Sequence, residues 1–192
     1  MTTSPRLVVV ILLIVPQLFA QGLNQSWLDL PLANWNDGVK NFPQPPKADE
    51  SATAFAARCK LEIRRASAGE RALADAGWFP YLHVDRRLVQ GDVEIVAGMT
   101  GADGMCRPTG FNLFVFVGGQ LAGTLSPGPM SSRADGSIGP VRLAPDGTIA
   151  AEFARYSEKD ALCCPSGRVG LRYRIDRATR PVVVPVSRQV IR

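Results

Sequence analysis

The C-terminal part of the chain shows a strict alternation of apolar and polar residues. Successive side chains of a β-strand point to opposite faces of the sheet, so residues 168–176 are predicted to form a half-buried strand. One face of this strand is apolar and the other carries arginines. The inward positions are Val169, Leu171, Tyr173 and Ile175, and the outward arginines are Arg168, Arg172 and Arg174. The outer face of the predicted strand is therefore positively charged.

Other segments of the same half also predict strands. Residues 111–117 are apolar on both pleat faces, as expected for a central strand that is covered on both sides. Gly118-Gly119 predicts a tight turn into a partner strand over residues 120–125. Residues 141–144 and 148–156 form a second predicted hairpin around Pro145-Asp146-Gly147. A last strand covers residues 182–186, where Pro185 restricts it to an edge or a bulge.

Helical patterns occur before these strands. Residues 49–65 begin with apolar residues at helical spacing. Ser67, with Glu70 three positions later, forms a capping-box pattern ahead of a short helix that Gly77 ends. Together the patterns predict a single small α+β domain. We expect a mostly antiparallel sheet of about six to eight strands, built from hairpins, that follows one or two short helices.

The first 50 residues lack these patterns and divide into two segments. Residues 1–20 combine Arg6, an apolar run and Ala20 at a plausible cleavage point, which is typical of a secretory signal peptide. The run is shorter than the about 20 residues of a membrane span, so we expect no transmembrane span after cleavage; a retained N-terminal anchor is the alternative. Residues 21–50 are predicted to be an extended, proline-containing arm. Trp27 and Trp35 are costly to expose, which favours an arm strapped over the domain of residues 51–192.

Export changes the interpretation of the four cysteines, because an even number in an oxidising compartment predicts disulfides. The Cα atoms of neighbouring residues lie about 3.8 Å apart, below the about 4.4 Å that a disulfide normally needs. A bond between Cys163 and Cys164 is therefore not expected. Two pairings stay open, in which one of these neighbours bonds to Cys59 and the other to Cys106. The chain has no C-x-x-C pair and a single histidine, His83, so we predict neither a metal site nor a cofactor.

Charge and loops supply the candidate binding residues. The formal net charge of +5 is mild and permits an acidic partner. The arginine face, with Arg172 and Arg174, is a candidate surface for anionic lipid headgroups or an acidic envelope polymer. The loop of residues 126–140 is a second candidate, because functional groups often lie on such loops. Its candidate ligand-binding residues are Arg133 and Asp135, joined by Arg155 and Tyr156 at the end of the second hairpin. Nucleic acid is not a predicted partner, since no aromatic stacking platform accompanies the arginines.

Two enzymatic interpretations compete with binding. A hydrolase would use Glu152 with Asp135 or Asp160, although acids at arbitrary spacing occur in any domain. A Cys-His nucleophile would need His83 beside Cys106, Cys163 or Cys164, and export favours the oxidised form of those thiols.

Several stretches carry a resemblance to a known family. They are Leu30–Asn36, Asp103–Phe111, Phe114–Val117, Gly123–Pro127, Met130, Ser132-Arg133, Asp135-Gly136, Ala151–Tyr156 and Leu162–Ser166. With these stretches the chain resembles the LppP/LprE family of bacterial envelope lipoproteins and their exported relatives. The resemblance implies a bacterial exported protein and brings no established activity or catalytic residues. Unlike the lipoprotein members, this chain has no cysteine just after the signal segment, so we do not expect covalent lipid attachment.

These observations lead to one functional expectation and one alternative. We expect an exported envelope protein, periplasmic or extracellular, that acts as a non-enzymatic binding or structural domain. Its partner would be an envelope polymer, an anionic lipid surface or another protein. The alternative is an envelope hydrolase that uses acidic residues near the 126–140 loop.

Overall fold

A computed structural model describes residues 26–82 and 88–191. The predicted signal peptide and His83 lie outside the described residues. Within the described ranges, no helix combines the length and apolar character needed to cross a bilayer.

Two short helices precede the described strands, and both begin at a serine cap. Helix α1 spans Ala52–Cys59 and helix α2 spans Ala68–Asp75. The Ser51 side chain accepts a hydrogen bond from the N–H of Ala54, and α1 ends at the left-handed Lys60. The predicted capping box at α2 is present: the Ser67 hydroxyl accepts from Glu70 N, and the Glu70 carboxylate accepts from Ser67 N. A single 3-10 turn, Trp27–Asp29, lies in the arm.

The strands form two main antiparallel sheets and a small hairpin. The first sheet contains β1 (Phe79–Tyr81), β2 (Leu88–Gln90), β3 (Val93–Met99), β6 (Asn112–Val117) and β7 (Gln120–Thr124). Its order is β1-β3-β6-β7, and β2 also pairs with β3. The hairpin pairs β4 (Gly101–Ala102) with β5 (Pro108–Thr109). The second sheet, in the order β11-β10-β9-β8, contains β8 (Ile138–Leu143), β9 (Ile149–Arg155), β10 (Gly167–Asp176) and β11 (Val182–Ile191).

The α+β class is confirmed, but the strands divide between two packed sheets where one larger sheet was expected. The main core joins the inward residues of both sheets, such as Val115 of β6 and Leu171 of β10. Alternation along a strand shows that one face is buried, and it does not say which sheet covers that face. The segment between β7 and β8 leads the chain from the first sheet to the second.

Strand β6 is buried on both faces, as its sequence predicts. Its second face packs into a smaller cluster that Leu73 of α2, Trp78 and the arm residue Phe42 complete. The domain therefore has three layers, with α2 and the Phe42 part of the arm on one side of the first sheet and the second sheet on the other. Pro185 lies in the edge strand β11, next to the register shift opposite Arg172 and Tyr173, so the predicted edge or bulge position is confirmed.

Both predicted disulfide pairings are wrong. The structure contains Cys59–Cys106 and the bond between the neighbours Cys163 and Cys164. Arg58 explains the first pair, because its guanidinium donates to the carbonyl oxygens of Ala102 and Asp103 and brings the end of α1 to the β4–β5 hairpin. Cys163 and Cys164 lie in the β9–β10 loop of the other sheet. Their Cα atoms are 3.8 Å apart, closer than in most disulfides, and the bond closes a small ring that contains the peptide bond between the two residues. The usual Cα spacing was therefore not a sufficient reason to exclude this bond.

The two disulfides differ in what they contribute to folding. Cys59 and Cys106 are 47 residues apart, for which the chain-entropy model gives about 4 kcal/mol of stabilisation. The same model gives about 1 kcal/mol for two adjacent cysteines. Only the first bond therefore contributes substantially to the stability of the fold, and it is not one of the predicted pairings.

Candidate anion-binding face

The arginines of β10 lie on the outer face of the second sheet. Arg168, Arg172 and Arg174 are exposed, and the alternate residues Val169, Leu171 and Tyr173 are buried in the core. The alternation predicted from sequence is confirmed.

Neighbouring strands add a fourth arginine to this face. In the register of the sheet, Arg172 lies opposite Ala150 of β9, and Ala150 lies opposite Arg142 of β8. On its other side, Arg172 lies opposite Ser187 of β11. Arg142 and Arg172 thus flank a small side chain, an arrangement that places two guanidinium groups across one shallow depression.

This depression is a groove of about 170 Å³. Its floor is low because Ala150 and Gly170 have little or no side chain. Polar groups dominate the remaining lining, which includes Arg142, Arg172, Glu152, Ser187 and Gln189. We define the anion-binding face as Arg142, Arg168, Arg172 and Arg174 together with this groove.

Two of these four arginines have acidic partners. Arg168 Nη1 lies 3.4 Å from Glu152 Oε2, and Arg174 Nη1 lies 3.3 Å from Asp176 Oδ2. The backbone N–H of Ala178 and, second, the charge of Arg174 lower the pKa of Asp176, so this carboxylate is ionised at neutral pH. The guanidinium groups of Arg142 and Arg172 have no hydrogen-bond or ion-pair partner among the described residues. The unpaired charge of the face is therefore concentrated at the groove.

The second candidate region is a polar cluster where the loop before β8 meets the end of β9. Arg155 donates from Nη1 and Nη2 to both carboxylate oxygens of Asp29, at 2.7 and 2.9 Å, and from Nε to Asp135 Oδ1 at 3.0 Å. Tyr156 N donates to the same Asp135 oxygen, and Tyr156 OH donates to Leu162 O. The structure thus brings Asp135, Arg155 and Tyr156 together, as a clamp on the arm residue Asp29.

The electrostatics of the cluster agree with this structural role. Hydrogen bonding to Arg155 lowers the pKa of Asp29, and hydrogen bonding to Asp29 in turn raises the pKa of Arg155. Arg133 is exposed, has a φ of 59° and makes no hydrogen bond to the cluster. The donors of Arg155 are already occupied by protein carboxylates, so this cluster offers less to a ligand than the groove does.

The acids of the hydrolase alternative do not converge. Glu152 projects from the outer face beside Arg168. Asp135 is held by Arg155, which follows Glu152 on β9 by an odd number of residues. Successive side chains of a strand point to opposite faces of the sheet, so Arg155 and Glu152 lie on opposite faces. Asp160 instead caps its own loop by accepting hydrogen bonds from Ser157 N and Ser166 N. Within the ranges that the structure describes, no group of three or more His, Cys, Asp or Glu side chains is placed to hold a metal ion.

The arm contains a buried structural residue whose role the sequence did not reveal. Asn36 is 2% exposed and joins the edge strands of the two sheets. Its amide nitrogen donates to Thr124 O and Val183 O, and its oxygen accepts from Thr124 N. Asn36 lies among turn-forming residues, so its sequence context did not indicate this role. The only indication in the sequence was its position in the stretch Leu30–Asn36, which carries the family resemblance.

The tryptophans of the arm pack beside Asn36. Trp27 contacts Phe153 edge-to-face at 4.9 Å, and Trp35 contacts Tyr173 at 6.1 Å between ring centroids. Trp35 Nε1 also donates to Thr124 O. The arm therefore closes the seam between the two sheets with both apolar and hydrogen-bonding groups.

Comparison with known proteins gives one match. The model of the LppP/LprE lipoprotein family matches residues 90–178, a range that includes strands β3 to β10 and all four arginines of the anion-binding face. Searches of curated proteins and of solved structures gave no significant match. A lipoprotein family of this kind implies an exported, envelope-associated protein. The match over residues 90–178 supports membership of the chain in the LppP/LprE lipoprotein family.

Proposed function

We propose that this envelope protein is a non-enzymatic binding domain that holds phosphate or carboxylate groups of an anionic envelope component on its anion-binding face. The observation that carries the proposal is the pair Arg142 and Arg172, which are exposed on both sides of Ala150 and whose guanidinium groups have no partner among the described residues. A guanidinium group offers a planar fork of donors that matches carboxylate and phosphate oxygens. Two such forks across one groove can hold an anionic group from both sides.

The surroundings of the pair support the same function. Ser187 and Gln189 line the groove and supply further polar groups without negative charge. Glu152, the acid of the groove, lies against Arg168. The face is exposed and its strands are rigidly paired, with β10 hydrogen-bonded on both sides. A preformed polar surface of this kind loses little freedom when it binds.

The expected strength follows from the number of free charges. An arginine near an anionic lipid surface contributes about 1 kcal/mol at physiological ionic strength. Loss of both groove arginines should therefore weaken binding by about 2 kcal/mol, or roughly thirtyfold. The interaction should also weaken as salt increases, because exposed charges are screened.

Sedimentation with lipid vesicles tests the proposal. We expect the purified protein to bind vesicles that contain phosphatidylglycerol and not vesicles of phosphatidylcholine alone. The Arg142→Ser/Arg172→Ser variant should lose most of this binding. A parallel arm with soluble polyphosphate distinguishes a lipid surface from a polymer, since a polymer-specific face would bind polyphosphate and leave the vesicles in the supernatant.

The matched control removes the same charge elsewhere. Arg65 lies just before α2 and Arg71 lies within it, and both are exposed. Helix α2 covers the opposite side of the first sheet. The Arg65→Ser/Arg71→Ser variant should bind like the natural protein. Equal binding by both variants would show that net charge, and not the groove, determines association. Absence of binding to both anionic probes would contradict the proposal and leave a partner protein as the remaining ligand class.

A further inference from the structure

We propose that the Cys163–Cys164 disulfide is a thiol–disulfide exchange site that accepts two electrons from a protein dithiol of the envelope. Both cysteines are exposed, in the loop between β9 and β10. The bond joins neighbours in sequence, so it restrains almost none of the unfolded chain. An exposed disulfide that does not hold the fold together belongs with the labile disulfides, which are regulatory or catalytic, more than with the structural ones.

The loop keeps its shape through contacts that do not involve sulfur. Asp160 Oδ2 accepts hydrogen bonds from Ser157 N and Ser166 N, each at 2.8 Å, and these two residues bracket the cysteines. Tyr156 OH donates to Leu162 O at 3.0 Å. Opening of the disulfide therefore releases a short internal segment while the base of the loop and the second sheet stay in place.

The other disulfide provides a contrast within the same molecule. Cys59 is half-buried at the end of α1 and Cys106 is exposed, and Arg58 holds the end of α1 against the β4–β5 hairpin. An attacking thiolate must reach a sulfur atom, and access limits the rate of exchange. Access is limited only at Cys59, but reduction of Cys59–Cys106 also gives up a restraint across a sequence separation of 47, whereas Cys163–Cys164 spans a separation of 1. We therefore expect Cys163–Cys164 to react first and Cys59–Cys106 to persist.

The exchange proceeds in two balanced steps. A thiolate of the partner dithiol attacks one sulfur of the pair, which breaks the Cys163–Cys164 bond, forms a mixed disulfide and releases the other sulfur as a thiolate that takes up a proton. The second thiol of the partner, as its thiolate, then attacks the mixed disulfide and releases the second cysteine of this chain, which is also protonated. The partner dithiol is oxidised to a disulfide, and Cys163 and Cys164 are reduced to two thiols.

Graded reduction of the native protein tests the reactivity. The protein is exposed to low concentrations of dithiothreitol, alkylated with iodoacetamide and mapped by peptide mass spectrometry. We expect Cys163 and Cys164 to be alkylated at least tenfold faster than Cys59 and Cys106, with an unchanged far-UV circular dichroism spectrum. Equal rates for the two pairs, slower reaction of Cys163–Cys164, or loss of the spectrum during its reduction would overturn the proposal.

A trapping experiment tests exchange with a protein dithiol. The probe is a thioredoxin whose second active-site cysteine is replaced by Ser, so that the mixed disulfide cannot resolve. We expect a covalent complex with the natural chain and none with the Cys163→Ser/Cys164→Ser variant, whose circular dichroism spectrum shows that it folds. An equal yield of complex from that variant would place the adduct at Cys59–Cys106 and contradict the proposal, as would no complex with either protein.

Discussion

At the scale of single residues, Asn36 determines how the arm attaches to the domain. Its carboxamide satisfies the N–H of Thr124 and the carbonyl oxygens of Thr124 and Val183 in a buried position. A buried polar group without its partner loses the hydration that it has in the unfolded chain. The side chain thus specifies one position for the arm, because a shift by one residue would leave these groups unpaired.

The Asn36→Ala substitution should reduce the free energy of unfolding by about 2–4 kcal/mol, because it leaves buried backbone groups of both sheets without partners. Urea denaturation followed by tryptophan fluorescence measures the change. Asn41→Ala is the control, since Asn41 is exposed and makes no hydrogen bond among the described residues, and it should change the stability by less than about 0.5 kcal/mol. Equal effects of the two substitutions would show that the Asn36 contacts contribute nothing.

Asp160 gives a prediction about pH at the same scale. Hydrogen bonds from the backbone N–H groups of Ser157 and Ser166 lower the pKa of Asp160 from 3.8 to about 2. The ionised Asp160 carboxylate therefore stabilises the folded loop above about pH 4, and this stabilisation is lost as the pH falls towards 2. The amide NMR shifts of Ser157 and Ser166 should therefore titrate together with a midpoint near 2, and this transition should vanish in Asp160→Asn. A midpoint near 3.8 would contradict the hydrogen-bonding account.

At the scale of elements, the arm, the strands and the loops differ in how far the sequence determines them. Strand β10 was predictable because its alternation has the period of a strand and one covered face, and β6 because both of its faces are apolar. The capping box of α2 needs only residues close in sequence. The division into two sheets and the contacts of Asn36 were not predictable, because each depends on which distant segments meet.

The disulfides illustrate the same limit. The sequence predicted that the cysteines are oxidised, and the pairing depended on the position of α1 against the β4–β5 hairpin. That position is set by Arg58 and the carbonyl groups of Ala102 and Asp103, and no local pattern encodes it. Of the anion-binding face, the arginines of β10 were predictable from sequence. Arg142 was not, because only the register between β8 and β9 places it beside them.

The contact of the arm with the loop before β8 can be tested at Gly136. A Cβ atom at this position would meet Trp27 Nε1 at 2.6 Å, and the φ of Gly136 is +77°. Gly147 has a similar φ of +80°, and a Cβ atom there would meet no other part of the chain within 4 Å, so it is a matched control for backbone strain alone. Gly136→Ala should destabilise the protein by about 1–3 kcal/mol more than Gly147→Ala in thermal unfolding. Equal effects would mean that the arm moves aside without cost.

At the scale of the whole molecule, one disulfide and the arm hold together a three-layer domain whose second sheet presents the anion-binding face. Cys59–Cys106 joins α1 to the β4–β5 hairpin, and Asn36 joins the two sheets at their seam. The outer face of β10 has no further layer over it among the described residues, which leaves its arginines exposed. The architecture therefore separates the elements that stabilise the domain from the surface that we propose binds the envelope.

The unequal roles of the disulfides give a prediction for global stability. The Cys59→Ala/Cys106→Ala variant should lose about 4 kcal/mol of unfolding free energy, and the Cys163→Ala/Cys164→Ala variant about 1 kcal/mol, because the first bond restrains a far longer segment of the unfolded chain. Chemical denaturation of the two variants under identical conditions measures the difference. A larger loss from the second variant would contradict the assignment of Cys59–Cys106 as the disulfide that stabilises the fold.

The binding face itself can be mapped most directly by amide NMR of the full chain with nanodiscs that contain phosphatidylglycerol. We expect the resonances of β9, β10 and β11 that surround Ala150 and Arg172 to shift or broaden first, and those of α2 to stay unchanged. The Arg142→Ser/Arg172→Ser variant should abolish the effect. Perturbation centred on α2 or on the arm, or the same perturbation in that variant, would contradict binding of an anionic envelope component by the anion-binding face.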